Sequence, residues 1–168
     1  MAILQSKEHV TPAGRIDAHF HTRERWLGAK AGWTGGDEDN EADETLTPFV
    51  LDAGNDTWSV ASYCILGTAD TPVITGEESF DLHRLLVTAS EANVVYKIRI
   101  AWGTSYDAAV TVKDYSEVAF IPLNNKIDAG PVELKMHLVR AGTKVFASCW
   151  AAGENTATIS FLIGLHEY

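Results

Sequence analysis

The sequence predicts an all-β protein: an antiparallel β-sandwich, jelly-roll-like, with an extended N-terminal arm. Three observations predict it. The last third, Val132 to Tyr168, is three period-two apolar runs separated by short Gly- and Asn-containing breaks. Such alternation marks antiparallel strands with one buried face. From Trp58 onward, short runs recur at roughly 8–12-residue spacing, which suits a sandwich or barrel. Between them there is little room for a helix longer than a turn, so crossover helices are missing and the strands should pair antiparallel. An eight-stranded jelly roll is the first expectation and an immunoglobulin-like sandwich the second.

Two regions follow from the pattern: residues 1–57, an extended arm with an acidic loop, and residues 58–168, the sandwich. In the arm, Arg23 to Gly28 is a short strand or anchoring turn. Gly32 to Glu44 is Gly-rich and acidic, a self-repelling block that reads as a loop. Trp26 and Trp33 stand alone in this polar setting and, with Leu27 and Phe49, are the candidate protein–protein contacts. In the sandwich, Trp58–Leu66 is the first strand. Thr71–Gly76 follows, an edge piece because of Pro72. Ser79–Thr88 alternates but slips between Leu82 and Leu85, which predicts a bulge near His83-Arg84, with a short helix as the competing reading. Val94–Trp102 places Tyr96, Ile98, Ile100 and Trp102 on one face and Lys97 and Arg99 on the other. Gly103–Tyr115 reads as a loop containing one strand, Ala109–Val112. Glu117–Leu123 is a strand, and three closing strands complete the set: Val132–Arg140, Thr143–Ala151 and Thr156–His166.

Composition narrows the function. A chain of 168 residues with 46% apolar content buries roughly 70% of its unfolded surface on folding and needs no staple. The net charge of −10 argues against a DNA-backbone or anionic-membrane partner, since both want a basic face. There is no signal-peptide pattern and no apolar run of membrane-span length, so a soluble, cytoplasmically made chain is expected. Cys64 and Cys149 lie in apolar runs and read as buried thiols.

No set of catalytic residues emerges, and neither a cofactor nor a metal is expected. The sharpest motif is Asp17-Ala18-His19-Phe20-His21. On a strand, His19 and His21 point the same way and suit one metal ion. Amidohydrolases begin with a similar His-x-His but need a (β/α)₈ barrel of about 250 residues. Cupins resemble the Gly14, His19, His21, Glu24 set, but Glu24 comes too soon and the second cupin motif is missing. A metal-binding cupin using His19 and His21 is therefore an alternative only. The acidic runs Asp37–Glu44 and Asp52–Asp56 lack the spacing of a calcium loop. There is no Gly-x-Ser-x-Gly elbow. Cys149 lies at a core position where a thiol is inert. His83, His137 and His166 have no acidic partner recognisable by spacing. Trp26, Trp33, Tyr106 and Tyr115 are candidate sugar-stacking rings.

One resemblance bears on role. Leu66-Gly67-Thr68-Ala69-Asp70-Thr71-Pro72 and Phe80-Asp81-Leu82-His83-Arg84-Leu85-Leu86-Val87-Thr88 resemble segments of tailed-bacteriophage structural proteins. So do Gly142-Thr143-Lys144-Val145-Phe146-Ala147 and the closing Ala157 to Tyr168. The likeness is to small jelly-roll virion proteins, such as capsid decoration (cement) proteins, over roughly the last hundred residues. It implies a non-enzymatic protein on the capsid surface, partnered by the major capsid protein and by copies of itself in a homotrimer. It carries over no site residues. A phage tail or host-recognition module binding carbohydrate is the alternative role.

Overall fold

Period-two apolar patterning becomes strand almost wherever the structure describes it. The computed structural model describes residues 8–10, 16–18, 24–31, 42–43, 46–59, 63–66, 79–122, 130–154 and 157–168. The strands are β1 (Glu8–Val10), β2 (Ile16–Ala18), β3 (Glu24–Ala29), β4 (Ala42–Asp43), β5 (Phe49–Asn55), β6 (Tyr63–Leu66), β7 (Ser79–Ser90) and β8 (Tyr96–Gly103). A short helix, α1 (Tyr106–Val112), precedes β9 (Tyr115–Phe120), β10 (Val132–Glu133), β11 (Val139–Arg140), β12 (Lys144–Ala151) and β13 (Thr158–Glu167). The protein is all-β, with a curled, mixed sheet in the order β10-β7-β13-β5-β12-β8-β9. β1 and β2 form a separate antiparallel pair.

The sheet has two leaves that share β5. In the first leaf β7 pairs with β13, and β10 and β11 line the far edge of β7. In the second, β12 pairs with β8, and β8 with β9. The first part of β5 pairs with β13, from Phe49↔Phe161 to Asp52↔Thr158. Its last part pairs with β12, from Cys149↔Ala53 to Ala151↔Asn55. Both leaves contribute side chains to one apolar core, including Leu51, Leu82, Ile98, Ile100, Val145, Phe161 and Leu165.

The expectation of antiparallel pairing needs one correction, because β5 and β12 run parallel. The reason is geometric. β12 and β13 follow one another closely and run in opposite directions, yet β5 lies between them. A strand between two antiparallel strands must be parallel to one of them. β5 then turns back sharply. Asp56 adopts φ 50°, its N–H donates to Ala151 O, and the Ser59 N–H donates to Cys149 O. The returning chain passes so close to Gly54 that a Cβ there would lie 2.8 Å from the Trp58 carbonyl carbon.

The arm also needs correction. β3 and β5 fall within residues 1–57, but both are strands of the main sheet. Phe49, Leu51 and Ala53 are buried while Val50 and Asp52 are exposed. This is ordinary period-two alternation that the neighbouring acidic run disguises. In β3, Leu27 sits opposite Ile163 and is fully buried.

Elsewhere in the chain, the bulge predicted near His83-Arg84 is present. Gly164 pairs with Arg84 and Leu165 with Leu82, so His83 is the extra residue. A second shift in the same strand leaves Thr88 unpaired opposite Ser160/Phe161. The strand expected at Ala109–Val112 is instead part of α1. The Ser105 side chain accepts from the Ala108 N–H at the N-cap, and Lys113 closes the helix in the left-handed conformation. The expected strand Val132–Arg140 is broken into β10 and β11. Between them the Leu82 N–H points at the Met136 sulfur, 3.4 Å away, instead of a carbonyl. The expected piece Thr71–Gly76 lies outside the described residues.

Gly28 tests the packing between β3 and the segment entering β5. The Ala29 N–H donates to Thr47 O at 2.6 Å, and a Cβ on Gly28 would fall on that carbonyl, 2.8 Å from its carbon. Gly28→Ala is expected to destabilise the protein by about 2–3 kcal/mol in urea denaturation. Gly130→Ala, where nothing lies within 4 Å, should stay within about 0.5 kcal/mol of the parent.

Candidate functional site

Two groups of polar side chains are assembled on the outer faces of the leaves. The first lies where β7 and β13 end together. Asp81 is paired directly with His166. The bulge at His83 puts both His83 and Arg84 on the outer face, because Leu82 and Leu85 on either side point into the core. The His83 and His166 rings stack with centroids 4.5 Å apart. His166 Nδ1 lies 3.8 Å from Asp81 Oδ1, with side-chain exposures of 5% and 16%. That is an ion-pair distance and too long for a hydrogen bond. Tyr168 Oη donates to the other carboxylate oxygen, Asp81 Oδ2, at 3.1 Å. Tyr168 keeps one side exposed, yet its partial burial and the adjoining carboxylate push its hydroxyl up to about 12. Among the described residues, no donor reaches Asp81 Oδ1, which is itself buried.

The second group is built on Arg99, on the outer face of β8. Its Nε and Nη2 donate to Glu117 Oε1 on β9 at 2.8 and 2.6 Å. Nη1 donates to Tyr106 Oη on α1 at 3.2 Å. The guanidinium carbon lies 3.9 Å from the Trp58 ring centroid and 4.7 Å from that of Tyr115. One cation thus ties α1, β9 and the turn after β5 to β8 through charge-assisted bonds and ring stacking. Two positions along the same strand face, Lys97 Nζ sits 4.2 Å over the Trp150 ring.

Of the candidate contact residues, Leu27 and Phe49 are core side chains with no exposed area, so neither is available to a partner. Both alternate inward on strands that the sequence reading assigned to an arm. Trp26 is half-buried on β3, opposite Gly164. Trp33, His19 and His21 lie outside the described residues. Tyr106 and Tyr115 do come together, on Arg99. His137 meets the Trp102 ring edge-on, with centroids 5.4 Å apart. Spacing within one strand could not pair His166 with Asp81, because the pairing runs between strands 85 positions apart in sequence. The available signal was two i, i+2 polar pairs, Asp81-x-His83 and His166-x-Tyr168, each on an otherwise apolar strand.

Cys64 and Cys149 are both buried and not bridged. Burial pushes the Cys149 thiol up to about 12, which makes it an unreactive core group. No protein-family model matches this chain, and no curated protein or solved structure matches it. The fold defines it as an all-β protein with a mixed, curled sheet.

Two expectations follow. Arg99→Lys keeps the charge but loses the planar fork and the stack; it is expected to cost about 1–2 kcal/mol in denaturant unfolding. Cys149 should also make stability fall at high pH. Unfolded, its thiol ionises near 9.0; folded, it keeps its proton to about 12. Between these values the native state binds more protons, so stability declines as pH rises above 9, by at most about 1.4 kcal/mol per pH unit from this group. Unfolding curves from pH 8 to about 10, below the range where the raised Tyr168 hydroxyl adds the same effect, should show the decline, and Cys149→Ala should flatten it.

Proposed function

We propose that the chain is a structural protein of a tailed-bacteriophage virion that binds and stabilises the assembled capsid, acting as a homotrimer without catalysis. One observation supports this above the others. The segments that resemble phage virion proteins are the strands that carry the fold: Phe80–Thr88 lies in β7, Lys144–Ala147 opens β12, and Thr158–Glu167 is β13. β7 and β13 pair along most of their length. The resemblance therefore covers one paired unit, β7 with β13, and the start of β12 on the other side of β5. Within this proposal, the two leaves joined through β5 are a distorted sandwich of jelly-roll type. The acidic charge suits a basic docking partner, and many modest contacts would reinforce one another around a symmetric shell. Trp26 and the exposed Val50 are outward-facing apolar side chains available for such contacts.

A second reading is a phage tail or host-recognition module. It is favoured by the gathering of Trp58, Tyr106 and Tyr115 around Arg99, since aromatic faces stack on sugars. A glycan-binding screen, repeated with Tyr115→Ala, addresses it directly.

Co-sedimentation with phage capsids assembled without the protein is the test of the capsid role. A truncation at residue 56 is unsuitable because it removes β3 and β5 from the sheet. The full chain is expected to bind saturably, and Trp26→Ala to weaken binding about tenfold while leaving the melting temperature nearly unchanged. No sedimentation of the parent protein at any concentration would discard the proposal.

A further inference from the structure

The geometry points to a transition-metal site formed by Asp81, His83 and His166, taking a divalent ion of the zinc class and clasping the end of β13 to β7. One potential ligand atom from each residue lies within 4.8 Å of the others. The donor set is two imidazole nitrogens and one carboxylate oxygen, which suits zinc and its first-row neighbours and is a poor match for magnesium or calcium. His166 Nδ1 and Asp81 Oδ1 are 3.8 Å apart. Two ligands on one tetrahedral ion with ~2.1 Å bonds stand ~3.4 Å apart, so this pair must close by a few tenths of an ångström, and the set within 4.8 Å draws in by up to about 1.4 Å on binding. Asp81 Oδ1 is a buried acceptor that no described donor reaches, and a cation supplies what it lacks.

Three features of the fold prepare this arrangement. Period-two alternation puts His83 on the same face as Asp81, and the bulge that follows returns Leu85 to the core without turning that face inward. The cross-strand pairing fixes Asp81 opposite His166. The Tyr168 hydroxyl holds Asp81 Oδ2, which leaves Oδ1 facing the imidazoles. This is the outer-sphere support that orients a ligating carboxylate. Beyond the bulge β13 stays paired with β7, and Tyr168 and Ser79 exchange backbone hydrogen bonds at 2.8 and 3.3 Å. An ion bound here would therefore staple β13 to β7. The proposal does not depend on the virion role.

The test uses the full-length chain, without an affinity tag and stripped with chelator, titrated with Co²⁺ and Zn²⁺. Co²⁺ is expected to give a ligand-field absorption band saturating at one equivalent and displaced by Zn²⁺. Zn²⁺ well above its dissociation constant should raise the melting temperature by about 5–10 °C. Mg²⁺ and Ca²⁺ should do neither. His83→Gln and Asp81→Asn, each first shown to unfold cooperatively without metal, should abolish the band. Tyr168→Phe should weaken binding by about 10-fold. His137→Ala, and the double variant His19→Ala/His21→Ala, should bind like the parent. Absence of the band in the parent protein would overturn the proposal. So would a band that persists in His83→Gln and Asp81→Asn, since the ion would then be held elsewhere.

Discussion

The insertion of β5 between β12 and β13 is the constraint on which the rest of the structure depends. Two strands this close in sequence and opposite in direction would by default form a hairpin. Here β5 takes Cys149–Ala151 of β12 and Thr158–Phe161 of β13, and β6 and β3 take the rest of those edges. That single placement makes the sheet mixed, since β5 is antiparallel to β13 and parallel to β12. It also makes the two leaves one body, because β5 leaves one ladder and enters the next within seven residues. The reversal after Asn55 must then be abrupt, and it leaves no space for a side chain at Gly54. Without β5, the backbone groups along the facing edges of β12 and β13 would lose partners together, and the core side chains Phe49 and Leu51 would be lost with them.

β7 and β13 form the second organising unit, and their register does two jobs. Inward, it aligns Leu82 with Leu165 and Leu85 with Ile163 in the core. Outward, it assembles Asp81, His83, His166 and Tyr168 at one corner. The bulge reconciles the two. Without an extra residue at His83, a strict alternation through β7 would turn either the leucines or the polar pair to the wrong face. Polar chemistry is thus confined to the outside of a leaf whose other side is wholly apolar. The Arg99 group follows the same rule on β8, where Ile98 and Ile100 face the core and Arg99 gathers rings and Glu117 outside it.

Much of the strand inventory was legible because burial acts locally on alternation. Tyr96, Ile98, Ile100 and Trp102 read as one buried face and are one. The slip between Leu82 and Leu85 read as a bulge and is one. What misled was local chemistry overridden by its surroundings. Phe49 to Gly54 alternates, but an acidic run nearby made it look like arm. Ala109 to Val112 has strand-forming residues, yet Ser105 caps a helix there and Lys113 ends it. Val132 to Leu138 alternates cleanly, but of its apolar face only Leu134 is buried and Leu138 is exposed, and only its two ends pair with β7. The Asp81–His166 pair was invisible, since it exists only once β7 and β13 are in register.

By itself, the sequence determined that the chain is all-β, where most strands lie, which faces are apolar, and where β7 must bulge. Each of these follows from side chains a few residues apart, whose period sets which of them leave water together. Only the tertiary structure decided which strands are neighbours, that β5 separates β12 from β13, and that an aspartate and two histidines meet. Backbone hydrogen bonds between strands are nearly indifferent to side-chain identity, so partner choice comes from filling one shared core. That is a property of the whole chain at once and of no single segment of it.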